Sequence, residues 1–188
     1  MRIIAGTHRG THLADVGQGD ATAHLRPTSD RVRESLFNVL QGGRYGETLR
    51  GRHVLDLFAG TGALGLEALS RGALHATFVD NGTVAQRLVR ANIVKLRREK
   101  DAKLITSSVM AIPPAPHACD LVFLDPPYGA GLGLGALEVA ARQGWIAPQA
   151  LIVWEETRGQ IAPEGFVMLD QKRYGDTWVT FMRYAQAG

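Results

Sequence analysis

Apolar positions along this chain fall into two alternating patterns. Short dense runs at residues 54–57, 76–80 (ATFVD), 103–106, 120–125 (DLVFLD) and 150–155 have the character of parallel strands covered on both faces. Between them lie segments with helical character at residues 63–71, 83–98 and about 134–143. An earlier helix is predicted from Pro27 followed by Ser29 or Asp30 as a start signal. Its apolar stripe is Val32, Leu36, Val39 and Leu40, up to about Gln41, with Arg31, Arg33 and Glu34 on other positions. The alternation closes with two successive strands, 166–174 and 178–184, joined through Gly175 and Asp176 as a hairpin turn. The expected fold is therefore α/β, a mostly parallel twisted sheet with a C-terminal antiparallel hairpin. Residues 1–28, punctuated by Gly6, Gly10, Gly17 and Gly19, read as a small N-terminal appendage in which residues 2–5 could form a short strand; residues 29–188 read as the main domain.

The stretch VLDLFAGTGALG, residues 54–65, is the centre of this arrangement. A buried strand runs into Gly60, Gly62 and Gly65 and then into a helix whose first N–H groups face whatever lies over the turn. The spacing satisfies a dinucleotide-binding fingerprint, and Asp80 ends the next strand about 20 residues on. On that ground alone NAD and other adenosine-containing cofactors remain open. Asp56, however, lies inside the strand and produces D-x-F-A-G-T-G, where a pyrophosphate-binding turn is normally led by small apolar residues.

A second candidate site follows the fourth strand, where Asp125 runs into Pro126, Pro127 and Tyr128. Two prolines after a strand are a stop signal. An acid, two prolines and an aromatic at the carboxyl end of a parallel strand also stand where ligands bind in such sheets, and the upstream Gly turn favours the functional reading.

Composition narrows the class. The 188 residues carry 45% hydrophobic and 21% charged residues, as expected for one soluble domain with a sizeable core. No apolar run approaches the roughly 20 residues of a membrane span, and the start MRIIAGTHRG lacks the apolar region of a signal peptide, so a cytoplasmic protein with no membrane partner is expected. The single cysteine, Cys119, excludes an internal disulfide. It immediately precedes the fourth strand, six residues of about 3.3 Å each before Asp125, so it is read as a small buried thiol and not as a nucleophile. The six histidines show no convincing ligand spacing, and no metal is expected. The net charge of +3 permits a polyanionic partner without demanding one. His8, Arg9, His12 and Arg26 near the start are either solvated charges or RNA contacts. Lys95, Arg97, Arg98 and Lys100 either complement a helix dipole or bind RNA.

The D-x-F-A-G-T-G turn resembles the first motif of the Rossmann-like S-adenosylmethionine-dependent methyltransferases. The segment LRPTSDRVRESLFNVL, residues 25–40, resembles the N-terminal motif of the bacterial 16S ribosomal RNA guanine-N2 methyltransferases, which share that turn and a D-P-P-Y or D-P-P-F motif. The resemblance covers nearly the whole chain, apart from residues 11–24. It implies S-adenosylmethionine as cofactor, held by Asp56, Phe58, Ala59, Gly60, Thr61, Gly62, Asp80, Asn81, Ser108 and Val109. The Gly turn would lie along the amino-acid part of the cofactor, Asp80 on its ribose and Ser108 near its adenine, where related enzymes often have Asp or Asn. It further implies Asp125, Pro126, Pro127 and Tyr128 as the catalytic group, and Arg2, Arg9, Arg26, Arg31 and Arg33 as candidate RNA contacts. Arg26 and Arg33 alternatively orient the cofactor or catalytic loop. The implied substrate is a guanine of 16S ribosomal RNA in the small subunit or its precursor, and the enzyme is expected to act as a monomer. The alternatives are adenine-N6 methylation of DNA or RNA, an NAD-linked oxidoreductase, and a noncatalytic RNA-binding module.

Overall fold

A computed structural model describes residues 1–15, 29–127 and 129–185. In chain order these form α1 (Asp30–Gln41), β1 (His53–Leu57), α2 (Ala63–Ser70), β2 (His75–Val79), α3 (Thr83–Lys95), β3 (Ala102–Ile105), β4 (Cys119–Leu124), α4 (Leu132–Arg142), β5 (Ile146–Glu156), β6 (Phe166–Tyr174) and β7 (Thr177–Tyr184). The seven strands make one sheet in the order β3-β2-β1-β4-β5-β7-β6. Strands β1 to β5 run parallel, while β7 lies antiparallel between β5 and β6, as the terminal hairpin predicted. The order reverses between β1 and β4, so the open crevice of the sheet lies above the carboxyl ends of these two strands.

Alternation along the strands divides the core in two. Val54, Leu121, Phe123, Leu151, Val153 and Phe181 pack on one face with α1, α2, α3 and the start of the chain. Leu55, Leu57, Val122, Leu124, Ile152 and Met182 pack on the other with α4. Helix α2 is buried along nearly its whole circumference, because it lies between the sheet and the first residues of the chain.

Several predicted boundaries move. The buried stripe of α1 is Arg33, Leu36, Phe37 and Leu40, rotated from the predicted stripe, with Val32 and Val39 only partly buried. Helix α3 stops at Lys95 and not at Arg98, because Arg97 takes a left-handed conformation with φ 54°. Strand β5 begins at Ile146, four residues before the predicted start, with an irregular register against β4 at Cys119.

The first residues double back on themselves. Ile3 N–H donates to the Thr11 carbonyl at 2.9 Å, and Leu13 N–H donates to Met1 at 3.1 Å. Ile3 and Leu13 enter the main core. The Asn92 side chain of α3 accepts from Ala14 N–H at 2.7 Å and donates to the Ala14 and Thr61 carbonyls at 3.1 and 2.9 Å. One buried amide thus fastens the first residues to both α3 and the Gly turn.

Candidate active site

Asp80 closes the Gly turn. Its carboxylate accepts from Gly60 N–H at 2.9 Å and from Gly82 N–H at 2.8 Å, one bond to each oxygen. Each oxygen retains acceptor capacity. Gly62 is the left-handed N-cap of α2, with φ 77°, and it supplies no side chain to that helix end. The Ala63 and Leu64 amides at the start of α2 are thus left for a polar group. Gly65 is required by close approach, since a Cβ there would lie 2.4 Å from the Phe78 ring. Phe58 also takes a left-handed backbone, φ 61°, which is uncommon for an aromatic residue and turns the chain out of β1.

Asp56 is 2% exposed and accepts from Gly65 N–H at 2.9 Å. Burial is the main cause that lifts its carboxyl to about 7; the Gly65 bond opposes the shift and Asp80 adds to it. A carboxyl raised in this way favours folding at low pH, and that contribution is lost as pH rises from the unfolded value near 4 through about 7. Asp56→Asn keeps an oxygen for Gly65 without the charge. Its stability relative to the parent is expected to rise between pH 5 and pH 8 and then level off. Parallel thermal melts would show this, and a pH-independent difference would contradict it.

Asp125 lies directly beside this turn, for its N–H faces the Leu57 carbonyl at 3.5 Å at the end of β1. Pro126 is buried and Pro127 exposed, with the Pro127 carbonyl accepting from Ala130 N–H at 3.3 Å. Because Leu124 is in register with Trp154, Asp125 has Glu155 as its neighbour on β5. Burial, then the charges of Glu155, Asp56 and Glu156, hold the Asp125 carboxyl well above the ordinary carboxylate range. Sequence reasoning did not include Glu155 and Glu156. The signal was present, since Asp125 directly follows β4 and β5 ends in Glu155 and Glu156. Tyr128 lies outside the described residues.

Ser108 accepts from Met110 N–H at 3.2 Å and caps a short 3-10 turn at Val109–Ala111, with Val109 buried. Asn81 is exposed next to Asp80. Cys119 is at the opposite end of β4 from Asp125, and burial pushes its thiol up to about 12. Arg2, Arg9 and Arg31 are exposed, whereas Arg26 lies outside the described residues.

Arg33 is 0% exposed, which removes it from the surface and corrects its placement among RNA contacts. Its guanidinium donates to the Arg2 carbonyl, pairs with Asp30 at 2.9 Å and lies 3.9 Å from Glu67. Glu67 is also fully buried, accepts from Ile4 and Ala5 N–H at 2.8 and 3.0 Å, and pairs with Arg71 at 2.7 Å. This hub joins α1, α2 and the first residues of the chain. Sequence reasoning missed Glu67; a lone acid within ALGLEALS was its signal.

The strand order, the Gly turn closed by the acid after β2, and the antiparallel last pair define a Rossmann-like methyltransferase fold. The chain belongs to the family described as conserved hypothetical protein 95, which matches residues 1–183. It is 37% identical over 182 residues to ribosomal RNA small subunit methyltransferase D of Haemophilus influenzae, covering 93% of this chain and 89% of the relative. The Escherichia coli K12 protein of the same name is 39% identical over 159 residues, covering 82% and 74%. The solved structure of yhhF from Escherichia coli superposes with a TM-score of 0.83 at 33% identity, covering 100% and 99% of the two chains. The resemblance drawn from residues 25–40 and the two site motifs thus holds at the level of the family. No helix among the described residues is long and apolar enough to cross a membrane.

Proposed function

We propose that this protein transfers a methyl group from S-adenosylmethionine to the exocyclic N2 amine of a guanine in 16S ribosomal RNA. The observation that carries the reading is the meeting of the Gly turn with Asp125 and Pro126 at the point where the strand order reverses. The names of the relatives support a small-subunit ribosomal RNA substrate.

The chain's own residues fit such a cofactor. Asp80 retains acceptor capacity for the ribose hydroxyls, and the Ala63 and Leu64 amides at the start of α2 suit the carboxylate of its amino-acid part. S-adenosylmethionine supplies an electrophilic methyl carbon on a positive sulfur. Asp80→Ala is expected to weaken its binding about 10- to 100-fold, the worth of hydrogen bonds to a charged acceptor. Calorimetry on a folded variant checks this, and unchanged affinity would contradict it.

A base amine is a poor nucleophile because its lone pair is conjugated with the ring. The Asp125 carboxylate and the Pro126 carbonyl would accept its two hydrogens, concentrating density on nitrogen and offsetting the positive charge that develops there. Proline geometry fixes the backbone that presents that carbonyl. Stacking on Tyr128 would position the base, a contact worth about 1–3 kcal/mol. The amine nitrogen so held would accept the methyl group that S-adenosylmethionine supplies, S-adenosylhomocysteine would leave as the neutral thioether, and one amine proton would pass to solvent. The target is a base in a loop or one flipped from its stack, since a paired amine cannot reach such a crevice. Mass spectrometry of ribosomal RNA from cells lacking this protein is expected to show one missing N2-methylguanine. Full retention of every N2-methylguanine would contradict the reading.

A further inference from the structure

Positive charge is concentrated in one stretch of the chain. Residues 83–103 hold seven of the chain's 21 lysines and arginines and only two of its 18 acids, so the rest of the chain is net negative. Helix α3 itself contains no acid. A merely solvated helix usually interleaves acids and bases at i,i+4, whereas Arg87 and Arg90 repel one another across one turn.

Part of this charge has structural work. Lys95 complements the C-terminal end of α3. Arg98 pairs with Asp101 at 2.7 Å and donates to the Leu69 carbonyl. Arg87, Arg90 and Arg97 are exposed, and no salt bridge among the described residues includes them.

Arg97 adds an independent observation. Its N–H donates to the Val94 carbonyl at 2.9 Å, and Arg98 N–H donates to Ile93 at 3.0 Å, the paired bonds of a helix ending in a left-handed residue. Glycine is the favoured residue at that position. An exposed arginine with φ 54° keeps a local backbone cost and adds a charge to a surface already of one sign.

We propose that Arg87, Arg90 and Arg97 form a phosphate-tracking ridge that holds the RNA substrate along the flank leading away from the site. The inference rests on the ribosomal RNA reading above. The ridge begins near that site and leads away from it, because α3 starts just after Asp80 and its 13 residues extend about 20 Å toward the amino-terminal edge of the sheet, where Arg97 lies. At its far end the Arg98 charge reaches His8, so the exposed Arg9 of the folded-back N-terminal residues lies near the same end. The ridge positions the backbone and carries no base selectivity.

Full-length protein is titrated with deproteinised small-subunit ribosomal RNA between about 50 and 200 mM salt, comparing the parent, Arg97→Gly, and the triple variant Arg87→Gln, Arg90→Gln, Arg97→Gly. Arg97→Gly is expected to lower the salt slope by about 0.7 without lowering Tm, because the backbone cost is relieved while one phosphate contact is lost. The triple variant should lose about 2 from the slope and at least about tenfold in affinity near physiological salt. A folded triple variant with unchanged slope and affinity overturns the ridge while leaving the ribosomal RNA reading intact if the parent methylates the RNA. A parent that neither binds nor methylates small subunits or their deproteinised RNA overturns both. Loss of binding to phosphatidylserine vesicles with retained RNA affinity would assign the ridge to a membrane surface and overturn the proposal.

Discussion

Replacing Glu67 with alanine is expected to cost about 3–5 kcal/mol of folding stability, the range for removing one partner of a buried ion pair. The size follows from what would be abandoned. Arg33 is 0% and Arg71 4% exposed at the side chain, so neither guanidinium can turn to water for compensation. The Ile4 and Ala5 N–H groups would lose their acceptor at the same time. Because α2 starts at the Gly turn, loosening this hub should also weaken cofactor binding. Glu67→Gln retains one oxygen and should fall between the parent and Glu67→Ala. Urea unfolding provides the measurement; a loss below about 1 kcal/mol for Glu67→Ala would show that the hub contributes little.

Asp125→Ala should lower the single-turnover rate about 10²- to 10³-fold, as removal of one preorganised group facing developing charge does in other sites. Asp125→Asn retains an acceptor oxygen and should keep clearly more activity. If Asp125 acts as the proton-abstracting base, the two variants will be comparably inactive. The pH dependence separates these roles further. The parent carboxyl, raised by burial and by Glu155, Asp56 and Glu156, loses its charge as pH falls through that raised value, so the parent rate should drop toward that of Asp125→Asn. Asp125→Asn should lack that acid limb. An unchanged acid limb in this variant would place the titration elsewhere.

The alternation of short apolar runs with helical segments made the parallel sheet legible, and Gly175-Asp176 made its antiparallel ending legible. The meeting of Asp80 with Gly60 was legible for the same reason: both lie at carboxyl ends of adjacent parallel strands. The register of α1 was not. Its helical spacing fits either Val32 or Arg33 as the first inward position, and an arginine on a core stripe is assigned outward unless its partner is known. That partner, Glu67, is 34 residues away on another helix, beyond any local pattern. The end of α3 was hidden by Arg97, because glycine is the residue that ordinarily marks such an ending. The carboxylates around Asp125 came together only through the β4–β5 register, a tertiary fact.

The most direct test supplies the purified protein and methyl-labelled S-adenosylmethionine to small ribosomal subunits from cells lacking it, with mapping of the labelled nucleoside. The account predicts label on the N2 amine of one guanine in 16S ribosomal RNA. Label recovered as N6-methyladenine would contradict the guanine-N2 assignment, and failure of the folded, cofactor-bound protein to label either the subunits or their deproteinised RNA would contradict the proposed function itself.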